Sequence, residues 1–431
     1  MPRVAFYTLG CKVNQQETDS MKTMFEQAGY ETVPFEQPSD VYVVNTCTVT
    51  QISDKKSRQM ISRAHACNPD AIIAVVGCYA QRSPEDVKSL PGVRLIVGTQ
   101  RRSQLVELVE AARVEGGQVN TVEDIRAARE FEELPPAAQG TRTRAQLKIQ
   151  DGCDRYCSYC IIPYARGPVR SRPVEEIRKE LTRFGDIGTP ELVLTGIHLM
   201  SYGKDIPDSP GLPHIIALAA NTPGIGRVRL GSLEPALIDD AFVAGLKEIP
   251  DLKLCRQFHL SLQSGSNTVL ARMRRRYTVK EYEQAVQRLR NAFLGCAITT
   301  DIIAGFPGET DQEHRETLAF AEHIGFARVH VFPYSRRSGT VAADMPGQLS
   351  REDKERRAHE LISIGERMER EYVRGQIGTV LQVLPEETSE GISEGYAGNY
   401  VRVRFAGEAG PGLINVKIIG AEETLALGEM V

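Results

Sequence analysis

The stretch AQLKIQDGCDRYCSYC, residues 145–160, decides how the rest of this sequence is interpreted. Residues 145–149 are a candidate strand, and the loop after them holds Cys153, Cys157 and Cys160. Three thiolates on one loop can bind three irons of a [4Fe–4S] cube and leave the fourth iron open for a substrate or cofactor. The spacing therefore predicts an iron–sulfur cluster directly after a strand.

Structural zinc is the alternative ligand for these three cysteines. A closed zinc site needs four ligands, and no fourth Cys or His lies close by in the sequence. The next His and the next Cys downstream are His198 and Cys255, which belong to later segments. The cluster is therefore the favoured interpretation.

Strand-length segments alternate with helical segments on both sides of the cysteine loop. In the first 115 residues the predicted strands are 4–9, 41–45, 72–77 and 95–97, and the predicted helices include 17–28 and 55–65. From residue 144 to about 370 the candidate strands are 145–149, 191–195, 227–231, 257–261, 299–303 and 328–332. This alternation is typical of α/β folds with parallel sheets. Six units, two fewer than a closed eight-stranded barrel, predict a partial (β/α)6 barrel.

Two changes of composition predict the domain boundaries. Residues 116–138 are rich in Gly, Glu and Pro, as in a linker. After residue 375, short β-rich runs are separated by Gly-containing turns, which predicts a small all-β barrel. The predicted domains are an N-terminal parallel α/β sheet domain at 1–115, the linker at 116–138, the barrel core at 139–369 and the all-β barrel at 372–431.

Three more cysteines each follow a predicted strand: Cys11 in LGCKVN, Cys47 in NTCTV and Cys78 in VGCYA. The carboxyl ends of parallel strands meet at one edge of a sheet, where sites are built. The alternative is that all three are small buried packing residues, but their Gly and polar neighbours favour a second set of ligands. The other three cysteines lack such a setting and are expected to pack: Cys67, Cys255 and Cys296.

The loop at 153–160 resembles the signature of the radical S-adenosylmethionine (SAM) superfamily, including the aromatic Tyr159 before the last cysteine. The resemblance implies that the open iron chelates SAM and that the reduced cluster cleaves SAM to a 5′-deoxyadenosyl radical. It also implies SAM contacts at Tyr159, Gly196, Glu234 and Asp301. It implies no catalytic acid or base, because the cofactors carry the chemistry.

The blocks around Cys11, Cys47 and Cys78 are similar to the N-terminal domain of methylthiotransferases. There they hold an auxiliary [4Fe–4S] cluster whose open iron carries the sulfur to be inserted. The segments 9–14, 160–167 and 195–198 resemble the branch of this family that acts on threonylcarbamoyladenosine in tRNA. The resemblance implies addition of a methylthio group to carbon 2 of the adenine of threonylcarbamoyladenosine next to the anticodon, with one SAM supplying the methyl group and another the radical.

Three alternative functions stay open. The first two are methylthiolation of isopentenyladenosine in tRNA and methylthiolation of a ribosomal-protein residue. The third, from another class, is a non-catalytic, metal-dependent RNA-binding protein. The partners that the resemblance implies are a tRNA anticodon stem-loop, an electron donor such as flavodoxin or ferredoxin, and a sulfur source.

The net charge of −4 means that an RNA must be met by local basic patches. The candidate patches are Arg142, Arg144 and Lys148; Arg166, Arg170 and Arg172; and Arg272, Arg274, Arg275, Arg276 and Lys280. The alternative for each patch is a solvated helix face balanced by acids. The C-terminal barrel resembles a TRAM domain, an RNA-binding module, with these candidate contacts: Tyr396, Tyr400, Arg402, Arg404 and Lys417.

The sequence predicts no membrane partner and no export. We find no signal peptide, and the longest apolar run, residues 71–76, is far too short to span a bilayer. The expected compartment is therefore the cytoplasm, where the nine cysteines would be reduced thiols.

Overall fold

The computed structural model describes residues 1–137 and 143–431, and the chain divides into two compact units. Unit 1 comprises Met1–Thr141, Gln150–Arg172 and Ser335–Ala343, and unit 2 comprises Arg142–Ile149, Pro173–Tyr334 and Asp344–Val431. Both cysteine triads belong to unit 1, although the second triad follows a strand of the barrel core in sequence. The predicted domain bounds stay predictions, and two of them, residues 138 and 139, lie outside the described residues.

Unit 1 is built on a parallel sheet. Its strands are β1 (Arg3–Thr8), β2 (Glu31–Val33), β3 (Val41–Thr46), β4 (Ile72–Gly77), β5 (Val93–Val97) and β6 (Val119–Asn120). Its helices are α1 (Lys12–Gln27), α2 (Gln51–Cys67), α3 (Cys78–Arg82), α4 (Pro84–Lys88) and α5 (Leu105–Glu115). The strand order is β2-β1-β3-β4-β5-β6, and every pair is parallel. The four predicted strands are confirmed, and the two additional ones are edge strands too short to give a periodic signal.

Apolar clusters on both faces of this sheet explain the continuous apolar sequence of its central strands. Strand β3 is buried along its whole length, and its residues alternate between two clusters. Val43 packs in the cluster that contains Phe25 of α1, and Val44 packs in the one that contains Ile61 of α2. Helices therefore cover both faces, and the carboxyl ends of the strands are where a site can form.

Two further segments complete unit 1. The first contains the end of β7 (Arg144–Asp151), helix α6 (Ile162–Arg166) and strand β8 (Arg170–Ser171). The last two residues of β7 pair with β8 in an antiparallel ladder. The second segment is Ser335–Ala343.

Unit 2 contains the partial barrel, and all six predicted strands are confirmed. After β7, its strands are β9 (Glu191–Gly196), β10 (Arg227–Leu230), β11 (Gln257–His259), β12 (Ala297–Ala304) and β13 (Arg328–Pro333). Its helices are α7 (Val174–Asp186), α8 (Gly211–Asn221), α9 (Asp240–Lys247), α10 (Asn267–Arg272), α11 (Val279–Ala292), α12 (Asp311–Ile324) and α13 (Arg351–Arg374). β9 pairs in parallel with β10, and β12 pairs in parallel with β11 and β13. No helix within residues 1–137 and 143–431 is both long enough and apolar enough to cross a bilayer.

The C-terminal part of unit 2 is a closed five-stranded barrel, as predicted. Its strands are β14 (Val380–Ser389), β15 (Ile392–Ala397), β16 (Arg402–Ala406), β17 (Ile414–Glu422) and β18 (Leu425–Met430), and they close in the order β14-β15-β16-β18-β17. Inward side chains such as Val383, Val403 and Val416 fill the interior. The α/β class with a partial (β/α)6 barrel and a small all-β barrel is confirmed.

A buried group of charges ties this small barrel to strands β9 and β10. Glu191 is fully buried, and its carboxylate lies 2.6 Å from Arg227 and 2.7 Å from Arg229. The same guanidinium groups donate to carbonyl oxygens of the small barrel, 2.7 Å to Gln382 and 3.1 Å to Ala397. Glu191 therefore compensates the cations that hold the barrel in place.

We expect Glu191→Gln to lower the free energy of unfolding by about 3–5 kcal/mol, because it leaves buried guanidinium groups uncompensated. Burial alone would raise the pKa of Glu191, but Arg229, Arg227 and Arg144 lower it to about 2. A carboxylate whose pKa is lower in the folded state stabilises the fold above its ordinary pKa of 4.5 and loses that contribution as the pH falls towards 2. Urea unfolding followed by circular dichroism, from neutral pH to about pH 2.5, measures both effects.

Glu175→Gln is the matched control, because Glu175 is exposed on α7 and pairs with Arg178 at 3.6 Å. Its effect should stay within about 0.5 kcal/mol at every pH. Equal losses in the two variants would contradict a special role for Glu191.

Candidate iron–sulfur cluster sites

Cys11, Cys47 and Cys78 lie at the carboxyl ends of three neighbouring strands of unit 1, as their sequence setting predicts. Cys11 directly precedes α1, Cys47 follows the last residue of β3, and Cys78 begins α3. The strands concerned, β1, β3 and β4, are consecutive in the sheet. Cys47 and Cys78 are buried, and Cys11 is exposed. The fold therefore gathers this triad at one edge of the sheet.

The three thiols are close enough for their charges to interact. Burial raises the pKa of the Cys47 thiol, and the charge of Cys11 raises it further. Burial raises the pKa of Cys78 to about 12, where Arg166 opposes the rise and Cys47 and Cys11 add to it. Three thiolates this close repel one another, so they are stable together only when positive charge, such as that of bound iron, compensates them. The donor set fits an iron–sulfur cluster, whose binding releases the thiol protons.

Two glycines allow the cysteine loops to approach one another closely. Gly10 has φ +109°, and a Cβ there would lie 2.9 Å from the Cβ and 3.1 Å from the Sγ of Cys47. Gly77 has φ +92°, and a Cβ there would lie 2.4 Å from Oδ1 of Asn45 and 2.7 Å from the carbonyl oxygen of Thr46. Any larger residue would push the loops apart.

Asn14 fixes the loops that precede two of these cysteines. Its Nδ2 donates to the carbonyl oxygens of Leu9 at 2.7 Å and of Thr46 at 3.0 Å. The hydroxyl of Thr46 in turn donates to the carbonyl oxygen of Val76 at 2.6 Å. Hydrogen bonds within the protein therefore link all three strand ends.

Cys153, Cys157 and Cys160 lie on the loop between β7 and α6. The amide of Cys153 donates to the carbonyl oxygen of Gly167 at 3.0 Å, and the amide of Cys160 donates to that of Cys157 at 2.9 Å. Cys153 and Cys157 are buried, and Cys160 is half-buried. Burial raises the pKa of Cys153 to about 11, and the charge of Cys157 contributes to the rise. These thiols also form a compact donor set that fits a cluster.

Within the part of the chain that the structure describes, no three His, Cys, Asp or Glu side chains converge on the position of a single metal ion. A [4Fe–4S] cube makes a different demand, because each thiolate binds its own iron.

Two of the four predicted SAM contacts lie at the ends of neighbouring strands. In unit 2, Gly196 ends β9, and Glu234 follows β10, the neighbouring strand. Nε2 of His198 lies 3.4 Å from the buried carboxylate of Glu234, and Arg275 lies 2.9 Å from it. Gly196 and Glu234 are therefore near each other.

The other two predicted SAM contacts lie elsewhere. Asp301 lies on β12, where its carboxylate is 3.1 Å from His259. Tyr159 belongs to the cysteine loop of unit 1, as expected.

The second basic patch was predicted wrongly as a phosphate-binding surface. Arg166 and Arg170 are fully buried, and Arg172 is 6% exposed. Arg172 pairs with Glu133 at 2.7 Å. These arginines serve contacts within the protein.

The first basic patch is also not free for RNA where it is described. Arg144 lies 3.1 Å from Glu191 and 2.9 Å from Glu386. Lys148 is buried. Arg142 lies outside the described residues.

The third basic patch contains paired and exposed cations, and its contact with RNA stays a prediction. Arg272 and Arg275 pair with acids, including Glu313 at 2.8 Å from Arg272. The remaining cations of the patch are exposed and form no ion pair with any residue in 1–137 or 143–431: Arg274, Arg276 and Lys280.

The candidate RNA contacts of the small barrel separate into two groups. The rings of Tyr396 and Tyr400 stack at 5.0 Å and lie under the guanidinium group of Arg144. The pair therefore packs against the barrel core. Arg402 and Lys417 are exposed, and Arg404 is half-buried. Arg402 and Arg404 pair with Glu394.

A buried network of charges in unit 1 was missed entirely in the sequence. Glu17 lies 2.5 Å from Arg102 and 2.6 Å from Arg166. Arg102 also lies 2.9 Å from Glu132, and Arg166 lies 3.2 Å from Asp151. Partners up to 149 positions apart leave no pattern in the sequence, so no signal could have identified them.

An exposed aromatic pair beside the second cysteine triad was also missed. Tyr156 precedes Cys157 directly, has φ +49° and is 42% exposed. Its ring meets that of Tyr164 on α6 edge to face at 5.8 Å. The sequence feature that could have identified this pair is Tyr156 itself, an aromatic residue inside the cysteine motif.

Comparisons with family models cover both cysteine triads. The model described as "Uncharacterized protein family UPF0004" matches residues 3–98, and that of the radical SAM superfamily matches residues 147–321.

Curated relatives match almost the whole chain. "Threonylcarbamoyladenosine tRNA methylthiotransferase MtaB" of Bacillus subtilis (strain 168) is 45% identical over 94% of this chain and 91% of its own length. The protein of the same name from Thermotoga maritima is 36% identical over 94% and 92%. "tRNA-2-methylthio-N(6)-dimethylallyladenosine synthase" of Natranaerobius thermophilus is 33% identical over 89% and 86%.

Among solved structures, the radical SAM methyltransferase TsrM from Kitasatospora setae, with cobalamin and a [4Fe–4S] cluster bound, superposes with a TM-score of 0.59. The match covers 91% of this chain and 81% of that chain at 16% identity. At this identity the likeness shows the fold alone.

Proposed function

Because the chain belongs to the methylthiotransferase family of radical SAM enzymes, we propose that it adds a methylthio group to carbon 2 of the adenine of threonylcarbamoyladenosine next to the anticodon in tRNA. The relatives of 45% and 36% identity carry the name of that activity, whereas the dimethylallyladenosine enzyme is 33% identical. The 45% identity of the Bacillus subtilis relative, against 33% for the Natranaerobius thermophilus enzyme, supports threonylcarbamoyladenosine over isopentenyladenosine.

Enzymes of this family use SAM and two [4Fe–4S] clusters. Cys153, Cys157 and Cys160 hold the radical SAM cluster in this proposal, and Cys11, Cys47 and Cys78 hold the auxiliary cluster. When bound, the first supplies the electron that cleaves SAM, and the second carries the sulfur that is transferred. The chain's own task is to hold both thiolate sets in fixed loops.

Gly196, Glu234, Asp301 and Tyr159 bind SAM in this proposal. The carboxylate of Glu234 is buried, with His198 at 3.4 Å and Arg275 at 2.9 Å. Reductive cleavage consumes an electron, so a flavodoxin- or ferredoxin-type donor must deliver it. Each product also consumes a sulfur atom, so a sulfur source is required.

One observation carries the proposal: residues of a single compact unit contact both cysteine loops. Arg166, which follows Cys160 closely in sequence, donates to the Sγ of Cys78 at 3.3 Å. A radical generator and a sulfur carrier must work on one substrate atom. This contact brings Cys78, a ligand of the auxiliary cluster in this proposal, to the segment that follows the radical SAM loop.

A second contact, through the segment Ser335–Ala343, supports the same conclusion. Arg337 donates to the hydroxyl of Thr48, next to Cys47, at 2.7 Å. The amide of Ala342 donates to the carbonyl oxygen of Ser158 at 2.7 Å. One short segment therefore contacts both cysteine loops.

The test compares two anticodon stem-loops that differ only in the group on the adenine N6, threonylcarbamoyl or isopentenyl. The anaerobically reconstituted full chain receives SAM, sulfide and a reductant, and the digested RNA is analysed by mass spectrometry. We expect the methylthio product on the threonylcarbamoyl substrate. Product only on the isopentenyl substrate, or only on ribosomal protein, would overturn the assignment. A chain that binds RNA but makes no product on any of these would support the non-catalytic alternative.

The exposed cations of the third basic patch, Arg274, Arg276 and Lys280, suit contacts with RNA phosphates. We expect the triple variant Arg274→Gln, Arg276→Gln, Lys280→Gln to weaken binding of the stem-loop. Each lost phosphate contact should reduce the slope of log K against log salt by about 0.7–0.9, so a loss of three reduces it by about 2–3. Fluorescence anisotropy at several salt concentrations measures the slope.

The matched control removes three exposed cations from the outer helices α7 and α9: Arg178→Gln, Lys179→Gln and Lys247→Gln. Its salt slope should equal that of the wild type. Equal slopes in both triple variants would assign the lost affinity to net charge and not to this surface.

A further inference from the structure

Arg166 is a fully buried arginine whose nitrogens are all engaged. Nη1 donates to Glu17 at 2.6 Å, and Nη2 donates to Oδ1 of Asn14 at 2.6 Å and to Glu17 at 2.9 Å. Nε donates to the Sγ of Cys78 at 3.3 Å. A guanidinium group held on every side in this way has a single orientation, and that orientation places one donor on a sulfur.

The second partner of Arg166 reaches another cysteine of the same triad. Oδ1 of Asn14, which accepts from Arg166, lies 3.9 Å from the Sγ of Cys11. The Nδ2 of Asn14 binds the carbonyl oxygen of Thr46, the residue before Cys47. Arg166 and Asn14 together therefore contact the surroundings of all three cysteines of the triad.

Arg102 provides a natural comparison within the same charge network. It is also fully buried and also binds Glu17, at 2.5 Å. Its other acidic partners are Glu132 at 2.9 Å and Asp151 at 3.9 Å. Arg102 and Arg166 therefore both form ion pairs with carboxylates of this network. Arg166 in addition donates to the Cys78 sulfur.

We propose that Arg166 is a positioning residue of the auxiliary cluster, which hydrogen-bonds the Cys78 sulfur and raises the cluster's reduction potential. This inference rests on the ligand role of Cys78 in the proposed function. Hydrogen bonds to ligand sulfurs and nearby charge are among the factors that set cluster potentials. One-electron reduction adds negative charge to the cluster and its thiolates, and a fixed guanidinium donor stabilises that charge. Arg166 stays protonated in both states, so no proton accompanies the electron.

The experiment uses the full chain in which Cys153, Cys157 and Cys160 are all alanine, so that the auxiliary cluster is the only signal. Arg166→Lys and Arg102→Lys are introduced separately, and each keeps its positive charge while losing the fork of donors. Redox titration followed by electron paramagnetic resonance gives the potential. We expect a shift to more negative potential in Arg166→Lys and none in Arg102→Lys. We also expect faster loss of iron to a chelator only in Arg166→Lys.

Equal shifts in both variants, or a shift in neither, would overturn the proposal, because the sulfur contact would then have no effect of its own. The charge-balanced double variant Glu17→Gln, Arg166→Gln covers the case in which Arg166→Lys does not fold, and the same negative shift is expected. The readout needs no tRNA, so a failed substrate assignment would leave it intact. Absence of any cluster in the alanine background would instead contradict the proposed ligands.

Discussion

Cys157→Ala is expected to abolish formation of 5′-deoxyadenosine from SAM. The variant removes the middle one of three thiolates on a loop that holds no other cysteine. A cube bound by two thiolates loses its iron readily, so the iron content should fall from about eight to about four per chain. Anaerobic assays with dithionite and SAM, with chromatography of the nucleoside products and an iron assay, measure both quantities.

Cys296→Ala serves as the control, because Cys296 is also a buried free cysteine but lies in the apolar cluster of unit 2. It should keep its full iron content and its cleavage of SAM. Continued 5′-deoxyadenosine formation by Cys157→Ala would refute the radical SAM assignment of this loop. Loss of cleavage without loss of iron would place Cys157 outside the ligand set.

The features that the sequence predicted well depend on short-range patterns. The strand of residues 41–46 is apolar on both faces because helices cover both faces of its sheet, and such a run is visible in a few residues. Cys47 and Cys78 then follow from the strand ends. The spacing of Cys153, Cys157 and Cys160 was enough to predict a cluster-binding loop at 153–160.

The features that the sequence did not reveal depend on contacts between distant segments. Arg166 follows the cysteine loop in a run of arginines, which suggests a surface for phosphate. Its partner Glu17 lies 149 positions away on α1, and only the fold shows that the two meet in the interior. Composition marks charged residues as exposed by default, and a buried, balanced network violates that expectation.

The small barrel gives a second example of contacts between distant segments that the sequence did not reveal. Tyr396 and Tyr400 were expected as base-stacking surfaces, because exposed aromatics on such barrels bind nucleic acid. In the structure they stack on each other under Arg144, which itself pairs with Glu191. The residue types were right for stacking, but the partner is an arginine of the barrel core.

Cys47→Ala is expected to abolish the methylthio product while SAM cleavage continues. Cys47 sits between Cys11 and Cys78 at the sheet edge, and its loss leaves only two auxiliary thiolates. The loop at 153–160 is unchanged, so radical generation is retained and becomes uncoupled from sulfur transfer. Mass spectrometry of the digested stem-loop and chromatography of 5′-deoxyadenosine in the same reaction separate the two steps. Iron should again fall to about four per chain.

Cys67→Ala is the matched control, because Cys67 ends α2 in the same unit and packs against the same apolar cluster that covers β3. Product and iron should both match the wild type. Methylthio product from Cys47→Ala would show that sulfur is delivered without this triad and would reduce the N-terminal sheet to a structural role. Loss of SAM cleavage in Cys47→Ala would mean that the two triads depend on each other for assembly, which the contact between Arg166 and Cys78 could transmit. The combination of a retained radical and a missing product is the outcome that assigns radical generation and sulfur supply to different triads.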